Sequence, residues 1–241
     1  MIVQSTLLPS SSLLKNHRDS LRRHFVDDFY MKKIAHLPKG SLVLDLGGNR
    51  RAKRGLFNID SYRLDVVYVN YAATQSPDIQ ADAASLPFMD ASFDGVVCAE
   101  VLEHIRRPGN VLKEVHRVLR SDATLLLTVP FMFPVHADPY DYGRYTDRFW
   151  QESLEEIGFT DIYIEWQGGF WCVWADMLRG YMMEKEKQLS GTQEKVINWM
   201  NVHLQKPLKK KVLKWDMHSD LLKTFFMKGC TTGFGVTCRK K

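Results

Sequence analysis

The sequence predicts an α/β fold built on a mostly parallel sheet, and three observations carry that prediction. Short apolar runs alternate along the chain with segments whose apolar residues recur at helical spacing, the order of strands joined by crossover helices. The run Ser41–Leu46 empties into Gly47 and Gly48, as a buried strand does at a tight turn. Asp45, Asn70, Asp82 and Glu100 each stand at or just past the end of such a run. Parallel strands would gather all four at one edge of the sheet, where open α/β sheets bind ligands.

At 241 residues the chain is long enough to bury a core without disulfide staples. Its four cysteines, Cys98, Cys172, Cys230 and Cys238, have no metal-type pairing and read as free thiols of a reducing compartment. The first residues lack a basic segment ahead of their apolar ones, which argues against a signal peptide. No run reaches the roughly 20 apolar residues of a spanning helix. Ala123–Val135 is broken by Pro130 and Pro134, and Gly168–Met183 carries Asp176 and Arg179. A cytoplasmic protein is expected. The net charge of +5 admits an anionic partner without requiring nucleic acid.

Residues 1–14 read as irregular. From Lys15 to Leu37 the apolar residues Leu21, Phe25, Val26, Phe29, Tyr30 and Ile34 predict a helix. Strands follow at Ser41–Leu46, Val66–Val69, Ile79–Ala81, Phe93–Ala99, Ala123–Val129 and Ile162–Trp166. Arg50–Tyr62 is basic and weak in helical pattern, and Tyr71–Asp78 is too short for a crossover helix. Pro108 opens a helix to about Arg120, with Val111, Leu112, Val115, Val118 and Leu119 on one face. Thr146 caps another, which ends at Gly158. Residues 169–229 are helical in tendency, aromatic and Met-rich, with a basic run at Lys206–Lys214. Thr232–Cys238 closes the chain as a strand.

Carboxylates along one sheet edge suit a ligand bearing ribose hydroxyls and an exocyclic amine, because ionised carboxylates only accept hydrogen bonds. In order and spacing, VLDLGGN, ADAASLPF, SFDGVVCAEVLEHI, VLKEVHRVLR and LLLTVP resemble the class I S-adenosylmethionine-dependent methyltransferases, over roughly Ser41 to Trp166. The resemblance implies a Rossmann-like sheet whose last strand is antiparallel, with a helical insertion before it. It divides the chain into an N-terminal helical segment (1–40), a cofactor-binding core (41–166), a helical insertion or lid (167–231) and a final core strand (232–241). It implies Asp45 and Gly47 beside the cofactor's methionine moiety, Asp82 and Ala83 at its adenine, and Glu100 next to it, with Gly48 and Asn70 also among the cofactor-binding residues. Two positions depart from the family pattern: the second glycine is shifted, giving Gly47-Gly48-Asn49, and Asn70 stands where the family has a ribose-binding acid.

A second stretch, PFMFPVHADPYDYGRYT from Pro130 to Thr146, resembles a loop of a methyltransferase subgroup that accompanies glycan or lipid-linked sugar synthesis. The loop follows a strand directly and carries His136, Asp138, Asp141, Arg144 and Tyr145. His136 is the candidate general base for a hydroxyl or amine acceptor, against a structural role capping the adjacent chain. Asp141, Arg144 and Tyr145 are candidate substrate contacts, against an Asp141–Arg144 ion pair that pins the loop. His104 reads as packing at a helix start.

The expected function is methyl transfer by in-line displacement to a small-molecule, sugar or lipid-linked acceptor. No metal is expected, since the chain shows no cluster with ligand spacing. Peripheral membrane contact through the insertion is the sharper alternative to its aromatics being core or lid contacts. A dinucleotide oxidoreductase would want G-x-G-x-x-G after the first strand. A nucleic-acid methyltransferase would want an RNA-binding module or N-P-P-[YF], and neither is present. A non-catalytic interaction protein that kept the sheet is the remaining alternative.

Overall fold

A computed structural model describes residues 2–3, 19–50, 55–136, 139–218, 227 and 229–241. Eight strands form one sheet in the order β1-β7-β8-β6-β5-β2-β3-β4. They are β1 (Ile2–Val3), β2 (Leu42–Leu46), β3 (Asp65–Asn70), β4 (Ile79–Gln80), β5 (Phe93–Ala99), β6 (Leu119–Pro130), β7 (Phe159–Gln167) and β8 (Gly233–Lys240). The helices are α1 (Leu21–Ile34), α2 (Pro108–Val118), α3 (Asp147–Ile157), α4 (Phe170–Gln188) and α5 (Gly191–His218). Strands β2 to β6 pair in parallel, and β8 runs antiparallel between β6 and β7. The parallel sheet, the antiparallel last strand and the helical insertion before it are those expected from the sequence.

Alternation along the central strands sends neighbouring side chains to opposite faces. Val43, Val97 and Leu126 meet Val26, Phe29, Tyr30 and Ile34 of α1 on one face. Leu44, Val96, Leu125 and Leu127 meet Val111, Leu112 and Val115 of α2 and Trp150 and Leu154 of α3 on the other. Three layers result. The insertion helices α4 and α5 then pack on the outer end of α1, where Leu21 and Phe25 contact Cys172, Ala175, Val212 and Leu213.

Caps set the helix limits. Thr146 accepts a hydrogen bond from Phe149 N at 3.4 Å, and Gly158 ends α3 in the left-handed region at φ +106°. Helix α2 stops at Val118, two residues before the sequence predicts. Leu119 is already extended and pairs with Phe93, so strand pairing overrides the helical pattern there. The short strand β1, in a stretch read as irregular, pairs parallel with β7. Arg51, Lys53 and Arg54 of the basic stretch after β2 lie outside the described residues, as do 15–18 of the predicted first helix and 219–226 of the insertion.

His24 of α1 is buried, with neither ring nitrogen hydrogen-bonded among the described residues. Burial, then the charge of Lys209, pushes its pKa down to about 4. The unfolded chain, with an ordinary histidine near 6.5, binds that proton more tightly. Stability from His24 is therefore full above about pH 6.5 and lost as pH falls towards 4, by roughly 2–3 kcal/mol. Urea denaturation of wild type and His24→Leu across that window is expected to show a flatter acid limb in the variant; equal slopes would remove His24 from the acid response.

Candidate active site

The strand order creates the site. Chain direction reverses its progress across the sheet between β2 and β5, leaving a crevice past their carboxyl ends, the usual ligand position in such sheets. Asp45 lies near the end of β2 and Glu100 just past the end of β5, one on each side of that crevice. Burial, then the charges of Glu103, Asp45 and Glu100, pushes the Cys98 thiol on β5 far above its ordinary range. Asp82 follows β4, two strand spacings or about 10 Å from β2. The rim thus extends across the ends of four strands, a span suited to an elongated ligand.

The glycine turn is shaped by its contacts. Gly47 adopts φ +80°, and a Cβ there would lie 2.4 Å from a methyl of Val101. A Cβ on Gly48 would lie 2.4 Å from the Asp45 carboxylate, so only glycine lets the turn fold over that acid. Asn70 donates from its amide to the carbonyls of Gly47 at 2.9 Å and Gly48 at 3.1 Å, and its side-chain oxygen accepts from Ala72 N. Its amide braces the turn.

Glu100 holds a left-handed backbone, φ +54°, at a cost of roughly 1–2 kcal/mol for a residue with a Cβ. Arg22 of α1 clasps its carboxylate in a two-pronged pair, Nε at 3.0 Å and Nη2 at 2.5 Å. Burial pushes the Glu100 carboxyl up, but the Arg22 charge and hydrogen bonds outweigh it and leave it below the ordinary range. The sequence gives no local signal for Arg22, which looks like any polar position on an amphipathic helix. Asp82 accepts from Ala84 N at 2.8 Å, forming a turn that presents Ala83 against the core.

The loop after β6 reaches the same rim. Arg144 binds Asp141 through both guanidinium ends, at 2.5 and 2.6 Å, and holds the Asp141 carboxyl at about 2. The carboxylate also accepts from His136 N at 2.9 Å. These charges are engaged with each other, which is the loop-pinning arrangement. Tyr145 stacks on Phe149, with ring centres 4.2 Å apart. Asp138 lies outside the described residues. The His136 ring is part exposed, and it meets the His104 ring edge-on at 5.1 Å between centres. Beside them Glu103 is buried, with neither carboxylate oxygen hydrogen-bonded among the described residues. Burial, then the charge of Glu100, raises its pKa to about 8. Reading the sequence for local spacing passes over Glu103 and gives His104 only a packing role, because they meet His136 only in the fold.

The donor set suits S-adenosylmethionine. Its sulfonium and ammonium are cations, its ribose and adenine carry hydrogen-bond donors, and this rim offers Asp45, Asp82 and a glycine turn whose backbone is open to close approach.

Comparison with known proteins agrees. The family described as "Methyltransferase domain" matches residues 50–127, about a third of the chain. A curated protein of Encephalitozoon cuniculi, which its name proposes as a methyltransferase, is 32% identical over 115 residues, covering 45% of this chain and 51% of that protein. The chain spans between half and two thirds of the length of the curated relatives it matches. A SAM-dependent methyltransferase from Archaeoglobus fulgidus superposes with a TM-score of 0.55 at 16% identity, over 90% of this chain and 94% of that one. A 1,6-didemethyltoxoflavin-N1-methyltransferase of Burkholderia thailandensis, holding S-adenosylhomocysteine, gives 0.52 at 15% identity, over 90% and 78%. Such identities speak to fold. The matched segment and the sheet order point the same way: the chain carries a methyltransferase-domain segment within the fold of the S-adenosylmethionine-dependent methyltransferases.

Proposed function

We propose that this chain transfers the methyl group of S-adenosylmethionine to a small-molecule, sugar or lipid-linked acceptor, with residues 41–166 as the cofactor-binding core. The carrying observation is the turn at Gly47-Gly48 folded over Asp45, facing Glu100 across the crevice between β2 and β5. When bound, the cofactor supplies a methyl group already activated by a positive sulfur, and the displacement itself needs no metal. The protein's part is alignment, which can contribute roughly 7–11 kcal/mol. Asp45 and the turn backbone hold the amino-acid end, and Asp82 with Ala83 the adenine end. The loop carrying His136 covers the acceptor side. Its Nδ1 faces the Pro134 carbonyl at 3.2 Å and so carries the hydrogen, leaving Nε2 as a proton acceptor. Trp174, Tyr181, Trp199 and Trp215 are exposed on the insertion and offer a lipid-linked acceptor a surface to approach.

Titration calorimetry with S-adenosylhomocysteine tests the reading. Wild type is expected to bind one equivalent. Gly48→Ala, whose Cβ must displace the Asp45 carboxylate, is expected to bind at least tenfold more weakly, about 1.4 kcal/mol. Methyl transfer is then assayed with sugar, lipid-linked and small-molecule acceptors, the lipid-linked ones presented in anionic vesicles. Absence of binding by wild type would favour a non-catalytic protein that kept the fold; undiminished binding by Gly48→Ala would take the cradle away from this turn.

A further inference from the structure

We propose that Glu103, His104 and His136 form a binding site for one divalent transition-metal ion, of the zinc, cobalt(II) or iron(II) class, at the acceptor side of the rim. One ligand atom from each residue lies within 4.8 Å of the other two. His104 Nε2 and a Glu103 carboxylate oxygen are 3.7 Å apart, against about 3.3 Å for two ligands of a tetrahedral zinc ion. Closing that pair takes a few tenths of an ångström and drawing in the His136 nitrogen up to about 1.5 Å, both within the reach of side-chain rotation.

The hydrogen bonding around the cluster prepares its ligand atoms. His104 Nδ1 lies 2.6 Å from the Tyr140 carbonyl, which can only accept, so that nitrogen carries the hydrogen and Nε2 carries a lone pair. His136 is arranged alike, with Nδ1 against the Pro134 carbonyl at 3.2 Å and the Asp141 carboxylate at 3.5 Å. Holding the outer nitrogen of each imidazole on a carbonyl or carboxylate is how proteins orient histidines towards a metal. Glu103 is the independent observation. Its side chain is 1% exposed, yet no described residue donates to either oxygen. A buried acceptor without a donor costs about 1–3 kcal/mol or more, and a cation between Glu103 and the two imidazoles removes that cost.

The scaffold holds the three residues by bonds that do not use the ligand atoms. Tyr142 N donates to the Glu103 carbonyl at 2.7 Å, tying the turn after β5 to the loop after β6. The Asp141–Arg144 pair fixes that loop. His104 and His136 are 32 positions apart, so the ligands come together only when β5 and β6 pair; this is why the chain reads as metal-free in sequence. Two histidines and one carboxylate are a borderline-soft set that favours zinc-like ions over magnesium or calcium. Three protein ligands leave a coordination position open, as in catalytic rather than structural sites. Resting on the methyltransferase reading, that position would take an acceptor hydroxyl and lower its pKa, with His136 then acting as a ligand in place of a base.

The test is cobalt(II) titration of chelator-treated full-length protein, without S-adenosylmethionine. Expected are one equivalent bound, the intense visible absorption of four- or five-coordinate cobalt with nitrogen ligands, and displacement by zinc. His104→Ala, His136→Ala and Glu103→Gln should each weaken binding at least tenfold, while His203→Ala on the exposed face of α5 should not. The weak spectrum of six-coordinate aquo-cobalt in wild type, or equal binding by folded ligand variants, would overturn the site. If the variants do not fold, the wild-type spectrum decides. Binding of S-adenosylhomocysteine is measured separately, so loss of the metal site and loss of the cofactor reading are told apart.

Discussion

Arg22→Met is expected to lower stability by about 2–4 kcal/mol at pH 7, somewhat below the cost of breaking a fully buried ion pair because the Glu100 carboxylate is only part-buried. The Arg22 guanidinium is buried and makes four contacts, two of them to Glu100, one to Gln167 Oε1 at 2.5 Å and one to the Phe234 carbonyl at 3.5 Å. The effect carries a pH signature. In the wild type Glu100 has a depressed pKa, so its contribution is full above the ordinary glutamate value and is lost as pH falls through the folded one. In the variant only Arg23 and the Thr128 hydroxyl still oppose burial, so that pKa rises and Glu100 becomes increasingly costly as pH rises. The difference between the two proteins should therefore widen from pH 4 to 7 in urea denaturation. Adding Glu100→Gln to Arg22→Met should recover part of the loss. A loss under about 1 kcal/mol, or no recovery, would mean that the pair does not hold α1 to the rim.

Much of this architecture is legible from the sequence because it depends on local patterns. The alternation of Val43 and Leu44, or of Val96 and Val97, marks a strand buried on both faces, and Thr146 and Gly158 bracket α3 with side-chain and backbone chemistry that needs no partner. Asp45 and the glycines are adjacent in the chain, so their closeness follows from the turn alone. The rest of the site is made by contacts between distant positions. Arg22 and Glu100 are 78 residues apart, and nothing in the amphipathic pattern of α1 distinguishes a buried arginine from a solvated one. Asn70 stands where a ribose contact is expected, yet its amide is bonded to the glycine turn, which only the pairing of β2 with β3 brings within reach. Gly233 looks like an ordinary strand glycine. In the fold a Cβ there would lie 2.3 Å from the Val129 carbonyl and 2.5 Å from the Arg22 guanidinium carbon, so the last strand has to be bare where the arginine crosses it.

Asp216→Ala, in the insertion and remote in sequence from every rim residue, is expected to cost about 3–4 kcal/mol and to weaken cofactor binding as well. The carboxylate of Asp216 on α5 accepts from Gly169 N at 2.8 Å, Trp171 N at 3.0 Å and Cys172 N at 3.0 Å. These are donors of the first turn of α4, whose own cap residue, Gly169, has no side chain to offer. A lost local cap costs about 0.5–2 kcal/mol. Here the donors are buried or half-buried, and each left unmet adds about 1–3 kcal/mol, discounted where water can reach it. The consequence travels because α4 repeats the device: Asp176 accepts from Leu21 N at 2.7 Å and Arg22 N at 2.9 Å, capping α1 at the turn that delivers Arg22 to Glu100. Loosening α4 therefore loosens the arginine that neutralises the rim. Asp216→Asn keeps one acceptor oxygen and should lose less than half as much. Hydrogen exchange should show early deprotection of the first turns of both α4 and α1 in Asp216→Ala, with S-adenosylhomocysteine binding weakened in parallel. Deprotection confined to α4 with cofactor affinity unchanged would mean that the insertion hangs on the core without bearing on the site.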